Sequence, residues 1–173
     1  EPGSVTFRDR AGVPLDLHRT FTPADDPADI AHFLREAGYL HLRGWLDPAD
    51  MAAISEDMDR AVGTYTPDDG RSWWATLATG EDTCVRMRYF VEHSPTTAAL
   101  LASERWDAVR TVIAGDEELV RAPVDGNIIE ALFKPIGVTA GISDVPWHRD
   151  CTFAGHPYDC AGVTVGISVT AGA

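Results

Sequence analysis

Two segments of this chain open with the same helix-starting punctuation, and each closes on a glycine. Asp26-Pro27, with Asp29 behind it, leads into a stripe of Ile30, Phe33 and Leu34 and stops at Gly38. Asp47-Pro48, with Asp50 behind it, leads into Met51, Ile54 and Met58 and stops at Gly63. An Asp side chain satisfies orphan amides, Pro suits the first helical position, and Gly adopts the left-handed turn that ends a helix. Ser94-Pro95 opens a third helix, expected to run to Ile113 with Leu101, Trp106, Val109 and Ile113 inward, and Gly115 ends it. Ser4 to Phe7, Tyr39 to Arg43 and Thr83 to Val91 read as strands, the last by its β-branched and aromatic content. Residues 64–82, with Pro67, Gly70, Gly80 and the pair Trp73-Trp74, read as a loop.

After residue 125 the pattern turns to strands. Asn127 to Phe133 and Val163 to Thr170 are β-like, a Gly- and Pro-rich connection covers 135–146, and Trp147 to Asp150 is a short extended piece. The expected class is α+β, helices first and then strands opening an antiparallel barrel. A chain of 173 residues fits one domain, divided here into a helical part (26–125, with flanking strands) and barrel strands (126–173). The last strand meets no following turn, and an antiparallel barrel must close or leave edges. The expectation is therefore a chain that lacks the C-terminal half of its barrel.

The net charge of −13 argues against nucleic acid or an anionic membrane surface as the main partner, while leaving room for a local basic pocket. A small molecule is the expected partner; oligomeric state is not legible. No run of 18 apolar residues exists for a membrane span. Three cysteines, Cys84, Cys151 and Cys160, and no signal-peptide pattern at the start point to a reducing, cytoplasmic setting, with one Cys151–Cys160 bridge an open alternative.

The chemistry concentrates at Trp147-His148-Arg149-Asp150. In a strand, residues i and i+2 share a face, so His148 and Asp150 present an imidazole and a carboxylate to one space. That is two-thirds of the 2-His-1-carboxylate triad that holds iron(II) in oxygen-activating enzymes. Composition alone yields about 0.6 such His-x-Asp triplets in a chain like this, so the triplet needs its context. Arg86 and Arg88 share one strand face, with Val85, Met87 and Tyr89 on the other. A guanidinium fork on such a face suits a carboxylate, and a solvated exterior is the alternative. Glu130, Leu132 and Lys134 likewise share a face, Lys134 being either a ligand contact or a strand-end lysine whose stem lies on apolar surface. The Trp73-Trp74 pair is read as a substrate-facing lid or as core, and Trp147, facing away from His148, as packing.

The context is the segment FKPIGVTAGISDVPWHRDCTFAGHPYDCAGVTVGISVT, which resembles the phytanoyl-CoA dioxygenase family. The earlier stretch AGYLHLRGWLDPADMAAISEDMDRAV resembles that family's opening, and the similarity runs over residues 27–173. The resemblance implies a double-stranded β-helix of the jelly-roll or cupin type with N-terminal helices packed on it. It implies iron(II) held by His148 and Asp150 with a second His further on. It also implies 2-oxoglutarate and dioxygen as co-substrates, giving succinate and carbon dioxide as a small organic substrate is oxidised. Arg86, Lys134 and Thr170 are the residues expected on 2-oxoglutarate. Asp150, which related halogenases replace with a small residue, favours hydroxylation. Only His156 follows Asp150 among the histidines, and it is read as pocket lining or loop structure rather than as the third ligand.

Two other readings stay open. His148, Cys151, His156 and Cys160 fall within 13 residues and could form a tetrahedral zinc site, a small binding module in which Asp150 has no role. A β-helix protein that keeps the fold without the chemistry is the third.

Overall fold

Asp26 caps the first helix as its side chain predicts. Its carboxylate accepts the Ala28 amide at 2.9 Å, and α1 runs Pro27–Ala37. Gly38 ends it at φ 77°, donating its N–H to the Leu34 carbonyl. Asp47 repeats the device with the Ala49 amide at 2.9 Å, and α2 runs Pro48–Val62. The computed structural model describes residues 6–115, 129–141 and 163–170. Their contacts divide the chain into two compact units, Glu1–Ala53 with Thr96–Pro123 and Ile54–Pro95 with Val124–Ala173.

In the first unit α1 lies against α4, Glu104–Ala114. The core is Phe21, Ile30, Phe33 and Val112, with Leu40, Leu42, Trp45 and Ile113 packed around it. Phe33 meets Phe21 edge to face at 5.1 Å between ring centroids, the arrangement that aromatic quadrupoles favour. The expected single helix from 94 to 113 is two helices, α3 (Pro95–Leu101) and α4. Ser103 makes the break: its hydroxyl donates to the Leu100 carbonyl and accepts the Trp106 amide, so the side chain ends one helix and caps the next. The break shifts the phase. Leu100, Val109 and Val112 are buried, whereas Leu101, Trp106 and Ile113 are only partly so. Of the strand expected over 4–7, residues 4–5 lie outside the described residues and 6–7 form no strand, the neighbouring bridge being Arg8 to Pro14, while the strand expected over 39–43 reduces to the single bridge of Phe21 to Leu42.

The second unit holds an antiparallel sheet of order β3-β2-β1-β4, with β1 Ser72–Leu77, β2 Asp82–Met87, β3 Ala131–Leu132 and β4 Val138–Ala140. Here the loop expected over 64–82 is overturned. Its Trp-rich stretch is β1, and Gly80, at φ 83°, serves the turn to β2. Pro67 and Gly70 mark only the approach. β2 is shorter than the expected 83–91, because Tyr89 turns left-handed at φ 59° and a 3-10 turn follows over Phe90–Glu92. β4 lies inside what read as connection. Of the strand expected over 127–133, only Ala131–Leu132 is paired in the sheet, and residues 127–128 lie outside the described residues. Residues 163–170 do not join the sheet and are largely exposed, so the final strand expected there is not formed. A strand needs a partner for its ladder, and the described sheet offers it none at that segment.

One irregularity decides what faces where. Trp73 pairs with Arg86 but Trp74 pairs with Cys84, so Val85 is an extra residue, a bulge in β2. Cys84, Val85 and Met87 are buried, while Arg86 points the other way. Gly141, at φ 99°, closes on β1: a Cβ there would stand 2.9 Å from the Ala75 Cα and 3.0 Å from the Trp74 carbonyl oxygen. For the core of the first unit, Phe33→Ala is expected to lower stability by about 3–5 kcal/mol. The measurement is a urea titration, with the midpoint falling at unchanged slope.

Candidate functional site

The register of β1, β2 and β3 sets out a small grid on the face of the sheet opposite the buried one. Ser72 pairs with Met87, so Arg71 stands opposite Arg88, and the Arg88 amide donates to the Arg71 carbonyl at 2.8 Å. Met87 pairs with Ala131, which brings Glu130 opposite Arg88. Two residues along, Trp73, Arg86 and Leu132 form the second row. One row is therefore Arg71, Arg88 and Glu130, and the other is Trp73, Arg86 and Leu132.

Like charges directly opposite in a sheet repel. Here they are held by rings and carboxylates. The Arg71 and Arg88 guanidiniums lie over the Tyr89 ring at 4.7 and 5.4 Å from its centroid. Arg86 lies over the Trp73 ring at 4.8 Å and Arg88 at 5.9 Å. Cations over aromatic faces are attracted by the ring quadrupole. Arg86 donates to the Glu130 carboxylate through Nε at 2.8 Å and through a terminal nitrogen, and Arg88 Nε stands 3.8 Å from the other Glu130 oxygen. Arg71 donates to Glu92, and that hydrogen bond holds the Arg71 guanidinium's proton more tightly than usual. Glu92 thus answers Arg71, and Glu130 lies against both Arg86 and Arg88.

The surroundings fix this face in place. The Tyr65 hydroxyl donates to the Arg88 carbonyl at 2.6 Å, and burial pushes the Tyr65 hydroxyl pKa up. Ser94 and Asp57, both buried, are joined at 2.6 Å, and Arg60 donates to the other Asp57 oxygen. Asp69 gathers the entry to β1, accepting the Thr66, Arg71 and Ser72 amides and the Ser72 hydroxyl. The Trp74 indole donates to that same hydroxyl at 2.9 Å. Desolvation pushes the Asp69 pKa up, but the hydrogen bonds from Thr66, Arg71 and Ser72 act the other way and hold it below the ordinary carboxylate value. Cys84 is a free, buried thiol whose pKa is raised by desolvation, which makes it a poor nucleophile.

The residues singled out in the sequence fall in different places. Trp73 and Arg86 meet on the grid. Trp74 turns to the other side of β1, with Ser72, so the two tryptophans do not line one pocket. Lys134 is exposed just beyond β3, and Thr170 is exposed at the end of 163–170. His148, Asp150 and His156, and with them Cys151 and Cys160 of the zinc alternative, lie outside the described residues. Among the described residues no three His, Cys, Asp or Glu side chains converge as a metal site. The sequence reading missed Arg71, Tyr89 and Glu130 as members of the grid. The signal for Arg71 was its i+2 spacing from Trp73, hidden once the stretch was read as loop.

The model of the phytanoyl-CoA dioxygenase family matches residues 34–171. The chain belongs to that family. Phytanoyl-CoA dioxygenase family members are oxygenases, in general dependent on iron(II) and 2-oxoglutarate. No curated protein and no solved structure matches the chain. The matched stretch contains the whole grid and the Trp147-His148-Arg149-Asp150 segment. No helix among the described residues is long and apolar enough to cross a membrane.

Asp69→Ala is expected to lower stability by about 1–2 kcal/mol at pH 7, through the lost hydrogen bonds at the start of β1. The native Asp69 pKa lies below its unfolded value, so its contribution is complete above about pH 4 and fades as pH falls through the native value. Urea midpoints of the protein and the variant should therefore converge below about pH 4.

Proposed function

We propose that this protein is an iron(II)- and 2-oxoglutarate-dependent oxygenase that hydroxylates, or otherwise oxidises, a small organic molecule. The reading is carried by one observation: the family match spans residues 34–171, a stretch that includes His148-Arg149-Asp150. An imidazole and a carboxylate two residues apart are the donor types that suit iron(II) with open positions left for co-substrate and oxygen. When bound, iron(II) with 2-oxoglutarate supplies the activation of dioxygen, with succinate and carbon dioxide released. His148 and Asp150 hold the metal in this reading, and Asp150 fills the position a halogenase would leave to chloride.

A guanidinium-bearing sheet face is the kind of surface that suits a carboxylate ligand. Arg86 is the residue assigned to 2-oxoglutarate, with Lys134 and Thr170 as further contacts. Two of its nitrogens donate to one Glu130 oxygen, so a carboxylate on this side of the guanidinium supports the assignment. Trp73 supplies the flat wall beside it. His156 is assigned to the substrate pocket.

Anaerobic addition of iron(II) and 2-oxoglutarate should produce a weak visible charge-transfer band that needs both. His148→Ala and Asp150→Ala should abolish it. Arg86→Ala should keep iron binding but raise the 2-oxoglutarate concentration needed by about tenfold, the loss expected for one charge-assisted fork. A protein that shows no band with both additions, or a band indifferent to His148→Ala, would overturn the reading. Zinc retained through purification, with unfolding on chelation, would favour the His148, Cys151, His156 and Cys160 module instead.

A further inference from the structure

We infer that residues 163–169 pair two copies of this chain, as antiparallel strands related by a twofold axis at Gly166. The pairing is independent of the oxygenase reading. The run Val163-Thr164-Val165-Gly166-Ile167-Ser168-Val169 reads the same in chemical type from either end. Laid antiparallel on itself about Gly166, it sets Val163 opposite Val169, Thr164 opposite Ser168, Val165 opposite Ile167, and Gly166 opposite its own copy. A twofold interface must be self-complementary in this way, residue i meeting j while j meets i. Directly opposite residues share a face, so each β-branched apolar side chain meets another and each hydroxyl meets a hydroxyl. A slip of one residue would set every apolar side chain against a hydroxyl or a glycine.

The structure leaves this run available. It joins neither a helix nor the described sheet, and Val163, Val165 and Ile167 are 48%, 41% and 37% exposed. A run rich in β-branched residues and open to solvent is a template for a strand from another chain. Charge selects the copy as that chain. At a net charge of −13 two copies repel over most of their surfaces, yet no charged residue stands between Asp159 and Ala173. Gly166 suits the axis. Its φ is not left-handed, and a Cβ built there would meet nothing within 4 Å, so its backbone is open to approach. In an antiparallel ladder, close pairs without hydrogen bonds alternate with hydrogen-bonded pairs. With the two glycines as the close pair, residues 163, 165, 167 and 169 make the ladder bonds. Thr164, already engaged, then keeps the interaction it has. One strand from each copy is a small interface, so the association is weak.

Sedimentation equilibrium of the full chain over about a hundredfold range of concentration tests the pairing. The weight-average mass should rise from 18.7 kDa toward twice that value and level there. Val165→Asp and Ile167→Arg should each weaken association about tenfold, and an equimolar mixture of the two should restore it, because Asp and Arg then stand opposite. A second measurement does not depend on those variants folding. In a Cys151→Ser, Cys160→Ser background with oxidised glutathione, Gly166→Cys should form a disulfide-linked dimer about tenfold faster than Ser168→Cys. Only a residue on the axis meets its own copy, at a Cα separation that a disulfide tolerates. A mass of 18.7 kDa at every concentration overturns the inference and assigns the apolar face to another segment of the same chain. A mass that climbs past twice that of the chain without levelling overturns it in favour of open strand stacking. Equal cross-linking of the two cysteine variants, or a mixture no better than its parts, also overturns it. No arm needs iron, so failure of the charge-transfer band leaves this result intact.

Discussion

Two guanidiniums face each other across a hairpin, and much of the second unit is arranged around that repulsion. Arg71 and Arg88 are brought together by the pairing of Ser72 with Met87, which buries Met87 and cannot slip without exposing it. The register is thus set by the buried face, and the charged face must accept what that register dictates. It does so with two rings and two carboxylates. Each alone is a modest interaction at a surface, and several acting on the same groups are worth more than isolated pairs.

The same arrangement depends on hydrogen bonds placed some distance away. Asp69 fixes the approach to β1 and, through the Ser72 hydroxyl, the Trp74 indole. Asp57 and Ser94 tie α2 to the segment after Glu92, where a buried carboxylate survives because Arg60 and Ser94 both answer it. Tyr65 reaches the Arg88 carbonyl from the loop after α2. Rigid support of this kind lets a face of flexible side chains present a defined charge pattern.

Local signals were legible and non-local ones were not. The caps at Asp26 and Asp47 and the stop at Gly38 are decided within a few residues, so the sequence showed them. Ser103 was equally local but its hydroxyl has two uses, and only the structure shows it breaking a helix. Trp73-Trp74 read as loop because Pro67, Gly70 and Gly80 flank it. Its strand character comes from partners on β2 and β4. Arg86 could be singled out by its face, whereas Glu130 and Arg71 become its neighbours only through pairings across long stretches of chain. The iron-ligand pair was legible for the opposite reason, since His148 and Asp150 need only two residues of spacing.

The contact of Gly141 with β1 sizes two distant positions to each other. With the Trp74 carbonyl and the Ala75 Cα where a side chain at 141 would begin, neither position has volume to spare. Enlarging Ala75 would press on the Gly141 backbone, and any side chain at 141 would push β4 away from β1. In related sequences the two should therefore keep a joint limit on bulk, so that a larger residue at one is found only where the strand crossing has been rebuilt. The end of β4 is thereby a point of low tolerance in an otherwise exposed edge, and substitutions there should be rarer than exposure alone would allow.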